Sequence, residues 1–234
     1  MSAPGPAVRS VDQVAGHEIS PGVTVREMLN SDHGCRGLHQ RRLGVAAGAR
    51  LAGTAGGQGE AWYVITGTGS LDAERAGSTA LAPGTAVWLE PGTGYDARAD
   101  GELAVLAVTV RAGSECAGPT RPMVRLEDCE PERTGDREFR VLLSEGLTIT
   151  QFAGLIPPGR APAHHHTYDE VVHVLAGQGV VHLDGTDTPI GPGTSIYLPP
   201  LQPHCLENTG AEPLRVLGVF HPAGSPASTW TTSS

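Results

Sequence analysis

Three histidines and one glutamate have the residue types and spacing to do chemistry. His164 and His166 alternate in the segment APAHHHTYDE, Glu170 follows four residues on, and His204 arrives later in PLQPHCLEN. Side chains alternate between the two faces of a strand, so His164 and His166 share one face while His165 takes the other. Glu170 opens a second strand-like run in which Val172 and Val174 share its face and His173 opposes it. His204 must come from a distant strand. Imidazole and carboxylate together suit a divalent transition metal such as Mn, Fe, Co, Ni, Cu or Zn. On an octahedral ion, four protein ligands leave two positions open, which makes the expected site catalytic in kind. A His-rich surface loop beside an unrelated carboxylate is the bland alternative, and it leaves the spacing to chance.

The strands around these residues predict a partly apolar pocket lined by Val172, Val174, Leu206 and Phe152. Tyr168 and Gln151 are weak candidates for moving a proton beside the metal. Arg160 is the one arginine close to the motifs in sequence and it falls in a turn, so a clamp of paired arginines on a phosphate or dicarboxylate is not indicated. His173 and His182 fall on faces opposite the expected interior, as exposed or interface histidines. Cys205 flanks a ligand but points outward by alternation. His33, Cys35 and His39 cluster loosely, with spacing that fits no closed metal site.

These elements belong to a repeat. Gly37-Leu38 matches Gly146-Leu147, Gly48 matches Gly159, Glu60 matches Glu170, and Gly67-Thr68-Gly69 matches Gly177-Gln178-Gly179. Pro83-Gly84, Trp88, Tyr95 and Val105-Leu106 continue the series onto Pro192-Gly193, Tyr197, His204 and Val216-Leu217, and every offset lies between 109 and 111. Such a register marks a tandem duplication. Each copy carries short strand candidates between Gly-rich and Pro-Gly turns, the pattern of an antiparallel sandwich or barrel. The expected division is a first unit over 21–111, a linker over 112–140 with a short ordered piece around MVRLEDC, and a second unit over 141–223. Residues 1–20 read as a mobile or irregular lead-in, and the tail after Phe220 as an extended end on the surface. In the first unit the ligand positions hold Thr54, Gly56, Glu60 and Tyr95, which cannot hold a transition metal, so Glu60 receives no site role.

Composition narrows the chemistry further. All 16 basic residues are arginine. Without a lysine there is no Schiff base to pyridoxal phosphate or to a carbonyl substrate, and no lysine-bearing phosphate loop. A net charge of −9, spread along the chain, argues against nucleic acid and anionic lipid as partners. No apolar run approaches the ~20 residues of a membrane span, and the N-terminus shows no secretory pattern. The four cysteines lack CxxC spacing, so reduced thiols and a cytoplasmic location are expected.

The motifs now carry a resemblance. Gly159-x4-His164-x-His166-x3-Glu170-x6-Gly177 resembles the first cupin motif, and Gly193-x5-Pro199-x-Leu201-x2-His204-x3-Asn208 resembles the second. The first motif is one residue short, and Leu201 stands where that family usually has glycine. With the duplication, nearly the whole chain resembles a bicupin. The resemblance implies an all-β protein of two tandem jelly-roll barrels, with one divalent metal (Fe, Mn, Ni, Cu or Zn) on His164, His166, Glu170 and His204. It also implies a small-molecule substrate and leaves a homodimer open. A dioxygenase is the leading expectation. A non-redox isomerase, lyase, cyclase or hydrolase is the alternative, and a binding module without catalysis is the third. The layout is similar to that of ureidoglycine aminohydrolases, which arrange their ligands differently.

Overall fold

The computed structural model describes residues 6–74, 77–111, 118–227 and 230–231, the last pair by backbone alone. In chain order the strands are β1 (Ala7–Ser10), β2 (His17–Ser20), β3 (Val23–Leu29), β4 (Leu38–Val45), β5 (Arg50–Thr54), β6 (Glu60–Thr66), β7 (Gly69–Ala73) and β8 (Gly77–Leu81). They continue as β9 (Thr85–Leu89), β10 (Gly94–Ala99), β11 (Leu103–Val110), β12 (Met123–Arg125), β13 (Glu132–Thr134), β14 (Arg137–Leu143), β15 (Thr150–Ile156) and β16 (Gly159–Arg160). The last are β17 (His164–His165), β18 (Asp169–Ala176), β19 (Gly179–Leu183), β20 (Thr186–Ile190), β21 (Thr194–Leu198), β22 (His204–Asn208), β23 (Leu214–His221) and β24 (Trp230–Thr231). No described helix is long and apolar enough to cross a membrane.

Two jelly-roll barrels result. The first closes the sheet β12-β9-β6-β11-β4-β3-β2 over β5-β10-β7-β8. The second closes β1-β21-β18-β23-β15-β14-β13 over β20-β19-β22-β17-β24, with β16 also paired to β22. Each barrel has its own apolar core, around Trp62, Leu71 and Leu103 in the first and around Val174, Val181 and Ile196 in the second. A further core joins the outer faces of the two large sheets, with Leu38, Leu106 and Val108 from one side and Val171, Leu217 and Val219 from the other. Alternation explains this: Glu170, Val172 and Val174 look into the second barrel, whereas Val171 and His173 look into the joint.

The duplication is visible in the hydrogen-bond register. Glu60 lies opposite Leu89 and Thr109, and Glu170 opposite Leu198 and Phe220. Tyr95 lies opposite Gly53, and His204 opposite His164. Gly53 rather than Thr54 therefore holds the place equivalent to His164, because the first barrel has one residue more than the second between this position and its glutamate.

Two segments are more ordered than the sequence suggests. Residues 7–10 and 17–20 are strands, not an irregular lead-in: β1 caps the second barrel by pairing with β21, and β2 pairs with β3. The ordered piece expected around MVRLEDC is β12, which returns to β9 of the first barrel, and the same stretch also contains β13, which forms a hairpin with β14. The tail runs extended over the surface of the second barrel, as expected, and is tied down there. There β24 pairs with β17, the Gly224 N–H donates to Thr150 Oγ1 at 3.2 Å, and the Tyr168 hydroxyl donates to the Ser225 carbonyl at 3.0 Å.

Candidate metal centre

The loops beside β17 and β22 aim the histidines. The residue before a proline is held extended, and His164 and His204 both follow such segments, Ala161-Pro162 and Gln202-Pro203. His164 Nδ1 lies 3.2 Å from the Pro162 carbonyl and His204 Nδ1 lies 2.9 Å from the Gln202 carbonyl. A carbonyl only accepts, so each Nδ1 carries the proton and each Nε2 is left with a bare lone pair. Further along, the Leu201 N–H donates to the His166 carbonyl at 2.6 Å, which fixes the Pro199–Pro203 loop against the ligand segment. Stacking fixes the His166 ring on Tyr168, with centroids 5.0 Å apart and planes 11° apart.

Ligand nitrogens of His164, His166 and His204 lie within 4.8 Å of one another, and all three residues are buried. Such a triad is able to bind one divalent metal. Among the described residues no other group of three His, Cys, Asp or Glu side chains converges in this way. Glu170 joins it from β18, with Oε2 3.5 Å from His166 Nε2 and 3.9 Å from His204 Nε2. That oxygen is buried and has no hydrogen-bond partner. Burial pushes the Glu170 carboxyl up to about 8, an effect partly offset by the positive charge of Arg137. Burial likewise lowers His164 and pushes His204 down to about 3. A buried carboxylate oxygen beside imidazole nitrogens that present lone pairs requires a cation or a proton between them. The donor set fits a divalent transition metal.

The four residues line a cavity of about 70 Å³ together with Phe152, Val172, Leu206 and Phe220. Val174 belongs instead to the barrel core beside Val181. Tyr168 contributes its ring to His166, while its hydroxyl is turned to Ser225. Gln151 is buried on the face of β15 opposite Phe152, and its strand neighbours Leu143 and Val219 belong to the joint between barrels. The structure therefore does not bring Gln151 to the cavity. His173 is also in the joint, 1% exposed, 2.9 Å from Ser195 Oγ, and lowered to about 3 by burial. His182 bridges Asp187 and Glu207 at 2.6 and 2.8 Å on the outer sheet. Cys205 Sγ donates to the Ala161 carbonyl. His33 contacts Arg9, His39 contacts Glu27 and Cys35 is buried in the joint, so these three do not converge.

Arginine is where sequence proximity misled. Arg160 is exposed, whereas Arg137, from the start of β14, lines the cavity. It is distant from both motifs in the chain and reaches them only because β14 pairs with β15. Its sole signal was a charged side chain at the foot of a strand.

The equivalent space in the first barrel is occupied by protein. Glu60 accepts from Arg41 Nη2 at 2.9 Å, Trp62 Nε1 at 3.0 Å, Thr109 Oγ1 at 3.2 Å and the Gly56 N–H at 3.2 Å. The Tyr95 ring packs edge-on against Trp62 at 4.9 Å. A Cβ on Gly53 would come within 2.7 Å of the Tyr95 hydroxyl.

Comparison with known proteins gives the same fold. A cupin domain profile matches residues 153–220. The chain is 38% identical over 58 residues to an uncharacterised protein of Methanocaldococcus jannaschii, covering 25% of this chain and 46% of that protein, so it spans about half the length of that relative. It is 33% identical over 114 residues to the oxalate-binding protein of Thermotoga maritima, covering 43% of this chain and 94% of the relative. Among solved structures, an S161A mutant of Bacillus subtilis oxalate decarboxylase superposes with a TM-score of 0.76 at 16% identity, over 96% of this chain and 78% of the other. That likeness is one of fold.

Proposed function

The chain belongs to the cupin superfamily, and we propose that its C-terminal barrel is a metal-dependent enzyme site for a small organic molecule. His164, His166, Glu170 and His204 would hold one divalent transition metal. The observation that carries this is the buried Oε2 of Glu170, without a hydrogen-bond partner, facing Nε2 of His166 and Nε2 of His204, the latter ring having its Nδ1 proton committed to the Gln202 carbonyl. When bound, the metal supplies Lewis acidity and, if redox-active, electron transfer to dioxygen. The protein's own part is to fix the ligand rings through the Pro162 and Gln202 carbonyls and the Tyr168 stack, and to keep water out with Phe152, Val172 and Leu206. The specific form of the reading is a dioxygenase. In support, the small cavity is largely apolar, as a site that admits dioxygen and excludes bulk water requires. A cytoplasmic location goes with it, in keeping with the unbridged Cys35, Cys129 and Cys205.

A second reading has its own observation. The T. maritima relative is named for binding oxalate and not for oxidising it. By that analogy the metal here acts as a Lewis acid in a lyase, isomerase, cyclase or hydrolase, or holds a small molecule without turnover. Anaerobic purification followed by metal analysis separates the cases. We expect about one transition metal per chain, lost in His166→Ala. Two equivalents per chain, or full retention in the variant, defeats the metal assignment. Substrate-dependent dioxygen uptake on Fe, Mn, Ni or Cu selects the dioxygenase, and Zn without uptake selects the Lewis acid.

A further inference from the structure

The cavity contains a charge that neither cupin motif supplies. Arg137 is half-buried at the start of β14 and lines the same space as the three histidines and Glu170. Its Nη2 is shut off from solvent and has no hydrogen-bond partner. A guanidinium nitrogen in that state has lost its water without replacement, a condition that buried polar groups rarely keep without a ligand.

The neighbouring acids do not answer it. Glu138 carries its carboxylate to Arg133 at 3.5 Å and to Arg140 at 3.7 Å. Asp136 is exposed in the hairpin between β13 and β14. Glu170 feels the charge of Arg137, but its Oε2 has no hydrogen-bond partner and looks toward the imidazoles. With a divalent cation on the ligands the shortfall grows. Of the two carboxylates that line the cavity, Glu138 is shared by Arg133 and Arg140, which leaves Glu170 to face a dication and a guanidinium between apolar walls built by Phe152, Val172 and Leu206. Positive charge left uncompensated in such surroundings is costly, so the missing component is an anion brought by the ligand.

On the reading that this barrel holds a metal, we propose that Arg137 is the anion anchor of the cavity and restricts its substrates to small organic acids that present a carboxylate. The guanidinium fork matches the two oxygens of a carboxylate, and a neutral ligand of the same shape leaves Nη2 unpaired. Size sets the other limit. The cavity of about 70 Å³ has room for on the order of five waters, which suits an acid of a few heavy atoms. The anchor lies on a different strand from every metal ligand, so specificity can be altered without disturbing the metal.

The test has two stages. Mn(II) is first titrated into the metal-free wild type, Arg137→Gln and Arg137→Lys by calorimetry, with binding expected in all three, since loss of the Arg137 charge raises the Glu170 carboxyl further but also removes a repulsion on the dication. Failure of the wild type to bind Mn(II) overturns the metal reading, and this inference with it. Acetate, pyruvate and oxalate are then compared with acetamide, pyruvamide and oxamide on the Mn(II)-loaded proteins, by calorimetry and by the change in the Mn(II) paramagnetic resonance spectrum. The wild type should prefer the acid in at least one pair. Arg137→Gln should weaken that acid by about 10- to 100-fold, the value of a charge-assisted hydrogen bond, and leave the amide unchanged. Arg137→Lys should retain part of the preference. A wild type that does not prefer any acid over its amide overturns the proposal even if no variant folds, and so does an Arg137→Gln protein that binds Mn(II) and keeps the full preference.

Discussion

Glu60 and Glu170 occupy the same register in sister barrels, yet one has four donors and the other has an oxygen with none. Between pH 6.5 and 8 the His164 and His204 imidazoles are already neutral, since burial lowers His164 and pushes His204 to about 3. Glu170, raised to about 8, still holds its proton there. Metal must displace that proton, so Mn(II) affinity should rise about tenfold per pH unit toward pH 8 and then level off, with about one proton released. Glu170→Gln should bind weakly and without this slope, and calorimetry in buffers of different ionisation enthalpy measures both. A flat wild-type profile would rule the mechanism out. The metal-free protein has a related sign: a carboxyl raised from 4.5 when folded binds its proton more tightly than when unfolded. Its stabilising effect is complete below pH 4.5 and is lost as pH climbs to about 8. Leu201 makes a separate residue-scale case. It holds φ 64 with 62% of its surface exposed, in the position where the motif usually places glycine. A left-handed non-glycine backbone costs roughly 1–2 kcal/mol, partly offset by the greater unfolded freedom of glycine. Leu201→Gly should therefore stabilise the protein by about 0.5–1 kcal/mol in urea denaturation. A loss of stability would mean that the exposed side chain has a contact partner in solution.

At the scale of elements, β23 decides how the cavity is walled. It pairs with β15 on one side and β18 on the other, and Gly218 lies opposite both Phe152 and Val172. A Cβ at Gly218 would come within 2.3 Å of the Phe152 ring. The glycine is thus the space in which the aromatic wall of the site rests. Gly218→Ala should cost about 1–3 kcal/mol through overpacking and drive Phe152 toward the metal ligands. Denaturant midpoints would register the cost, and an unchanged midpoint would mean that Phe152 has another place to go. Strand parity made this part of the site legible from sequence: the same period of two put His164 with His166, and Glu170 with Val172. It could not place Arg137. Whether a charged residue at a strand foot turns inward depends on which strand pairs beside it, and β14 meets β15 through a register that no local pattern encodes. The same limit hid β1. Its four residues carry no glycine turn and little alternation, and they become a strand because β21 offers an open edge more than 180 residues away along the chain. His173 was correctly set opposite the interior, but the face it occupies is covered by the other barrel and so is buried.

At the scale of the whole molecule, the two barrels fill one kind of interior in two ways. The first closes its core with an Arg41–Glu60 pair under Trp62 and Tyr95, and the second leaves imidazoles and a carboxylate around a cavity. The repeat in the sequence located both interiors and showed that the first had lost its histidines. It did not show that Arg41 had taken the place of a cation, because the residue that matches Arg41 in the second barrel is the apolar Phe152. The apolar joint between the sheets should make the barrels unfold together. If so, metal bound in one barrel stabilises the entire chain, by about 2.7 kcal/mol when free metal is 100 times its dissociation constant. Arg41→Ala leaves the buried Glu60 without its counter-charge, at a cost of about 3 kcal/mol. The two changes lie in different barrels and share no partner, so they should add. Differential scanning calorimetry of wild type and Arg41→Ala, each with and without Mn(II), should show one transition in all four samples and the same metal-induced rise in both proteins. Two transitions, with metal moving one and Arg41→Ala lowering the other, would mean that the joint does not couple the barrels and that the first folds independently of the site.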